Sequence, residues 1–366
     1  MELRPVSDQV VVVMGASSGI GRDVAQRFAA RGARVVLSAR DADALAALAA
    51  EIRAGGGEAT CCPADVAVFE QVRSVADFAV ARYGRLDTWV HLAGVGLWSR
   101  VDDMRPEEWD RVIAVNLSGQ AYGAMAALPH LRAQGRGKLI HVSSLEAATA
   151  LPLQSAYAAS KHGVRGFVRA LRMELQSEGS GIDVTEVLPS GINTPLFDTA
   201  RTHIGVKPRP LPPMYEPEVV SDAILYAAEH RTEEVVAGGG GKLAELAQRY
   251  VPRLWMRALV ALAPRLQRTA EAKGEGAPDN LFHPAEGPRP AHGTFGGESR
   301  RVSLYTWSRT HPLAAGAVLA LGIAAFAALA SRGRGTTPDH GAFGPCSVPA
   351  DDPAVEAEQS CSLRAS

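Results

Sequence analysis

The chain has 366 residues, of which 46% are hydrophobic and 21% charged, and its formal net charge is −1. That composition excludes an intrinsically disordered chain, and the near-neutral balance gives no support to nucleic acid as the main partner. Four cysteines are too few for a disulfide scaffold, and no His/Cys group has metal-ligand spacing.

The N-terminal stretch MELRPVSDQVVVVMG lacks the charged and apolar regions of a secretory signal and runs straight into a strand, which places the catalytic part in the cytosol. Strands are predicted at 9–14, 33–39, 58–64, 86–94, 138–144, 183–189 and 233–239, with amphipathic helical stretches such as 22–32 and 43–57 between them. Cys61 and Cys62 fall in the third strand, where they read as small apolar residues. Near-continuous apolar strands alternating with helices predict an α/β domain over residues 1–241, a doubly wound parallel sheet of Rossmann type. Ligands of such sheets sit at the carboxyl ends of the strands.

Composition then changes. Residues 242–273 carry seven basic residues against two acidic, with Leu243, Leu246, Tyr250 and Leu254 at helical spacing. This predicts a basic amphipathic helix, bent or divided at Pro252 and Pro264. It either lies on an anionic membrane surface, covers the substrate pocket or packs on a partner subunit. Residues 274–311 are rich in Gly and Pro and read as a linker. Residues 312–330 carry no charge; as a helix they would span about 28 Å, close to a hydrocarbon core. They predict a membrane anchor holding a cytosolic catalytic domain, with a buried helix as the alternative. The polar stretch 331–366 reads as a disordered tail.

The first strand runs into GASSGIG, with Gly15, Gly19 and Gly21 around Ser17, Ser18 and Ile20. Glycines let a phosphate approach the backbone, and the exposed N–H groups and dipole of the following helix favour the anion. The second strand ends in LSAR, with Ala39 and Arg40 where an acid would bind the ribose of NAD. A cation there suits a 2′-phosphate and predicts NADP(H) over NAD(H), the alternative being a solvated surface arginine. In SAYAASK, residues 155–161, Tyr157 and Lys161 share one helical face. They are either a surface pair or a phenol whose pKa a neighbouring cation lowers for proton transfer.

With SAYAASK in the same order, these features resemble the short-chain dehydrogenase/reductase family over residues 7–240. The resemblance implies that Asp65 in PADV, with Val66, meets the adenine. His91, Leu92, Ala93 and Gly94 stand in place of the family's N-N-A-G and leave Ala93 and Gly94 beside the cofactor, while Met14 replaces a threonine. Asn116 in VNLSG, Ser144 thirteen residues before Tyr157, and Tyr157 with Lys161 match the catalytic set. Pro189, Ile192 and Thr194 in PSGINTP match the nicotinamide side, with Ser190 altering the P-G motif. The implied enzyme moves hydride between nicotinamide and a carbonyl or carbinol carbon. Tyr157 would be the acid/base, Lys161 would lower its pKa and hold the nicotinamide ribose, Ser144 would bond the substrate oxygen, and Asn116 would hold a water for proton resupply. The family also implies a homo-oligomer.

His162 points to another helix face and reads as structural. Glu146 either lines the substrate mouth or faces water. Leu97, Trp98 and residues 195–215 are apolar enough to suggest a hydrophobic small-molecule substrate. The altered motifs leave a second reading, a nucleotide-binding sensor or scaffold without turnover.

Overall fold

The computed structural model describes residues 3–274 and 276–332. Each predicted core strand forms: β1 (Val10–Met14), β2 (Arg34–Ser38), β3 (Glu58–Cys61), β4 (Thr88–His91), β5 (Gly137–Val142), β6 (Ile182–Pro189) and β7 (Glu234–Ala237). They pair in one seven-stranded parallel sheet, in the order β7-β6-β5-β4-β1-β2-β3. In the centre, Val12 lies opposite Val36 on one side and Trp89 on the other. The strand order reverses between β1 and β4, which opens a crevice at their carboxyl ends.

Side-chain alternation explains why the strands read as unbroken apolar runs. Val11 and Val13 share a buried cluster with Phe28 of α1 (Gly19–Ala30), Leu45 and Leu48 of α2 (Ala42–Ala54) and Ile224 of the helix Pro217–Glu229. Val10, Val12 and Met14 join the opposite cluster with Val72 of α3 (Phe69–Tyr83), Leu131 and Val168. Both faces are covered, so no strand position has to be polar. Phe28 is fully buried. Phe28→Ala should destabilise the fold by about 3–5 kcal/mol, read as a lower urea midpoint at unchanged slope; a midpoint within error of wild type would contradict this packing.

Three further helices carry the site: α4 (Pro106–Ile113), α5 (Gly119–Gln134) and α6 (Ser155–Ser177). After α7 (Pro217–Glu229) and β7, the basic stretch forms two helices, α8 (Gly239–Tyr250) and α9 (Pro252–Leu266). Pro252 divides them by taking the first position of α9, where its missing N–H is no loss. Leu259 and Ala263 of α9 are buried, whereas Leu254, Met256 and Val260 are exposed. Residues 268–272 then pair antiparallel with Val206–Pro208.

The predicted linker is not a free connector. Asp279 pairs with Arg201 at 2.8 Å, and the Asn280 N–H donates to the Thr199 carbonyl at 2.9 Å. The Phe295 N–H donates to Asn193 Oδ1 at 2.9 Å, and the short helix α10 (Leu304–Thr310) receives the Gly238 N–H on Thr306 Oγ1, also at 2.9 Å. Backbone groups rather than periodic apolar side chains fasten this segment, so hydropathy did not announce it.

The uncharged run falls in the helix Pro312–Arg332. Among the described residues no single helix is long and apolar enough to cross a membrane. Nine alanines and two glycines dilute the run, and the predicted anchor gains no support. Apart from the last residues of that helix, the predicted tail 331–366 lies outside the described residues.

Candidate active site

The loop after β1 is built so tightly that only glycine fits at two places. A Cβ on Gly15, where φ is +91°, would lie 2.7 Å from the Ala93 nitrogen, and one on Gly21 would lie 2.0 Å from the Gly15 oxygen. This close packing opens the N-terminus of α1 toward a cavity of about 560 Å³ along the strand ends. Its lining includes every predicted cofactor residue. Gly15, Ser17, Ser18, Gly19, Ile20 and Gly21 line it at the loop after β1, and Arg40, Asp65 and Val66 line it after β2 and β3. Ala93 and Gly94 border the centre, with Pro189, Ile192 and Thr194 at the far end beside Tyr157 and Lys161. A glycine cradle, a helix N-terminus and a basic residue after β2 together fit a dinucleotide.

Ser144 follows β5, and the first turns of α6 place Tyr157 and Lys161 on the same wall. Lys161 Nζ lies 5.4 Å from the Tyr157 ring centroid and donates to the Val142 carbonyl at 3.3 Å. Ser144 lies near enough to the Tyr157 phenol to lower its pKa and accepts the Glu146 N–H at 3.1 Å. Asn116 is placed differently from expectation. It sits in a single π-helical turn, Ala114–Ser118, and is fully buried. Its Oδ1 accepts the Val95 N–H at 2.8 Å, and its Nδ2 donates to the Val95 carbonyl at 3.0 Å. The amide therefore fixes the loop after Gly94 from behind rather than reaching into the cavity for a water. The π turn turns the side chain toward that loop. His162 Nδ1 bonds the Ala158 carbonyl at 2.9 Å, a structural role.

Burial, not the lysine, dominates the phenol. Tyr157 is held above the ordinary tyrosine pKa, first by desolvation and then by the Glu146 charge, with Ser144 opposing them. This reverses the lowering expected from spacing alone: one turn of helix gives proximity, but removal from water favours the neutral phenol more strongly. Burial also brings Lys161 down to about 8, against the pull of Glu186 and Glu146.

Glu146 does not face water. It is 7% exposed, lines the cavity, and burial pushes its carboxyl up to about 8, against Lys161 and the Leu151 N–H. The folded chain thus holds a proton that the unfolded chain releases above its ordinary 4.5, so stability falls as pH rises from 4.5 to about 8. Glu146→Gln removes that dependence, and its Tm relative to wild type should climb across this window. Parallel Tm–pH curves would show an ordinary carboxylate.

The C-terminal helices line another part of the cavity. Leu243, Ala244, Trp255 and Leu259 line it opposite Trp98 and Leu151. Gln267, 1% exposed, ties the halves together. Its Oε1 accepts from Trp98 Nε1 at 3.1 Å and Gln154 Nε2 at 2.7 Å, and its Nε2 donates to the Pro152 carbonyl at 3.2 Å. Trp255 Nε1 donates to Thr149 Oγ1 at 3.0 Å. Sequence reading missed Trp255 and Gln267 as pocket residues; the basic amphipathic pattern around them was the available signal.

The family model for short chain dehydrogenases matches residues 9–205. The chain belongs to the short-chain dehydrogenase family. It is 34% identical over 330 residues to the uncharacterized oxidoreductase YxnA of Bacillus subtilis strain 168, covering 90% of this chain and 92% of that protein. An alignment of that length runs well past the catalytic sheet into the C-terminal segments. Among solved structures, this short-chain dehydrogenase is similar to a metagenomic short-chain oxidoreductase in complex with NADP, at 33% identity and TM-score 0.53, over 63% of this chain and 96% of that one. An alcohol dehydrogenase from the archaeon Thermococcus sibiricus, complexed with 5-hydroxy-NADP, shares 27% identity at TM-score 0.55, over 62% of this chain and 95% of that one. More than a third of the chain has no counterpart in either structure.

Proposed function

We propose that this oxidoreductase interconverts a carbonyl and a secondary alcohol on a largely apolar small molecule, with NADP(H) as its cofactor. The observation that carries the reading is the convergence of Ser144, Tyr157 and Lys161 on one wall of a cavity whose other end is the glycine loop. When bound, the nicotinamide gives or takes the hydride. Tyr157 donates its proton to the substrate oxygen in the reductive direction, and Ser144 holds that oxygen where charge develops. Lys161 favours the phenolate that remains and is placed to hold the nicotinamide ribose. A phenol kept protonated by burial suits reduction, since the donor is loaded at neutral pH. Trp98, Leu151, Trp255 and Leu259 supply an apolar grip on the substrate body. The two solved relatives that carry NADP or 5-hydroxy-NADP support the choice of nucleotide.

The test is consumption of NADPH by the full-length chain across a panel of aromatic, alicyclic and long-chain ketones and aldehydes. Turnover with at least one, and preference for NADPH over NADH, is expected. Tight NADPH binding with no turnover across the panel would favour the second reading, a nucleotide-holding protein, to which the altered motifs at His91–Gly94 and Ser190 lend weight.

A further inference from the structure

Residues 279–290 cross the adenosine end of the cavity as a strap. The Arg40 guanidinium is enclosed by its carbonyls: Nη1 donates to Phe282 at 2.9 Å and Leu281 at 3.4 Å, and Nη2 to Asn280 at 2.6 Å and His283 at 3.4 Å. Arg111 Nε donates to the Leu281 carbonyl at 3.0 Å, and the Leu281 side chain is fully buried in the core. The Pro290 carbonyl accepts the N–H of Gly19, inside the phosphate loop, at 3.0 Å. Between these anchors the strap presents Arg289 to the cavity. Its Nε and Nη2 reach one oxygen of Asp41 at 3.0 and 2.8 Å, while Nη1 donates to the Glu286 and Gly287 carbonyls at 3.1 Å each.

We propose that Arg289, not Arg40, is the residue that selects the 2′-phosphate of the nucleotide, and that Arg40 is the clasp that fastens the strap. This rests on the NADP(H) reading above. The two guanidiniums line the same cavity but are differently committed. Both amino groups of Arg40 are filled by four neutral carbonyls of the strap, so meeting a phosphate with that fork requires undoing the strap. Arg289 is paired with a single carboxylate at the end of β2, where the adenosine ribose of a nucleotide lies in such sheets. An arginine fork that holds one anion can share it with, or pass to, a phosphate by the same charge-assisted bonds. Arg289 also cancels the charge of Asp41, which lines the cavity and on its own repels a 2′-phosphate while accepting from a ribose hydroxyl. Losing Arg289 therefore acts in opposite senses on the two nucleotides, a signature that general loosening does not produce.

Calorimetric titration of the full-length chain with 2′,5′-ADP and with 5′-ADP reads this without any turnover. Wild type should prefer 2′,5′-ADP by about tenfold or more, the worth of a charge-assisted pair. Arg289→Ala should bring that ratio to about one or below by weakening 2′,5′-ADP while 5′-ADP binds as well as before or more tightly, and Arg289→Lys should restore part of it. Arg40→Ala should weaken both nucleotides and leave the ratio near wild type. Equal weakening of both by Arg289→Ala, or loss of the ratio in Arg40→Ala with Arg289→Ala unchanged, would overturn the assignment. A wild-type ratio of one would instead overturn the NADP(H) reading. Arg289→Gln, which keeps a donor toward Asp41, answers the same question if the alanine variant melts early.

Discussion

Tyr157→Phe is expected to lower kcat for NADPH-dependent carbonyl reduction by about 10²–10⁴-fold, the usual worth of a positioned proton donor. Nucleotide affinity should stay within a few-fold of wild type. The substitution removes one oxygen from a half-buried ring on the cavity wall and leaves the α6 backbone, Lys161 and the glycine loop in place. The lost hydroxyl also takes the phenol away from Ser144, so some of the decline reflects a less ordered serine. Single-turnover measurement at saturating NADPH separates chemistry from binding. An unchanged rate would remove Tyr157 from the reaction and with it the proposed mechanism.

The second large effect is expected at Gly21. A Cβ there would lie 2.0 Å from the oxygen and 2.8 Å from the carbonyl carbon of Gly15. Both are backbone atoms, so no side chain can swing aside, and the loop must move. Gly21→Ala should weaken NADPH binding by about 100-fold or more, since displacements near 1 Å already have effects of that size at such sites. Gly56→Ala is the matched control. Gly56 also has positive φ, +83°, but a Cβ there would meet nothing within 4 Å. It should carry some backbone strain and bind nucleotide normally. Equal affinity in the two variants would mean that the phosphate loop is softer than its packing indicates.

Much of this was legible from residue order. The seven strands announced themselves because a sheet covered on both faces favours long apolar runs, and Val10–Met14 is apolar throughout. The glycine loop was legible because tight backbone approach leaves a compositional mark. Proximity of Tyr157 and Lys161 followed from helical spacing, yet the sign of the phenol's shift did not, because spacing carries no information on desolvation. Asn116 was found by motif, but the π turn that aims its amide at Val95 leaves no trace in VNLSG. Glu146 could not be placed because burial of a carboxyl is set by the folded cavity wall and not by its neighbours in sequence. The strap was least legible of all. Arg40 meets carbonyls 240 to 243 positions away, and a carbonyl is offered by every residue type alike. The apolar run 312–330 gains no support as an anchor for the opposite reason: absence of charge alone does not make a span, and among the described residues no single helix is long and apolar enough.

On the proposed reading, the strap makes the working unit longer than the residues 9–205 that the family model matches. A chain trimmed to residues 9–205 would keep Ser144, Tyr157 and Lys161 but lose Arg289, Trp255 and Gln267. The nucleotide would then meet open solvent at its adenosine end, and the substrate would meet a pocket without its lid-side wall. Because Asn280 and Phe295 hang from Thr199 and Asn193 while Arg289 and Pro290 sit on Asp41 and Gly19, the same ribbon touches both ligands' berths. On the proposed reading, filling one berth is expected to alter the other, and steady-state kinetics should then follow a compulsory rather than a random order.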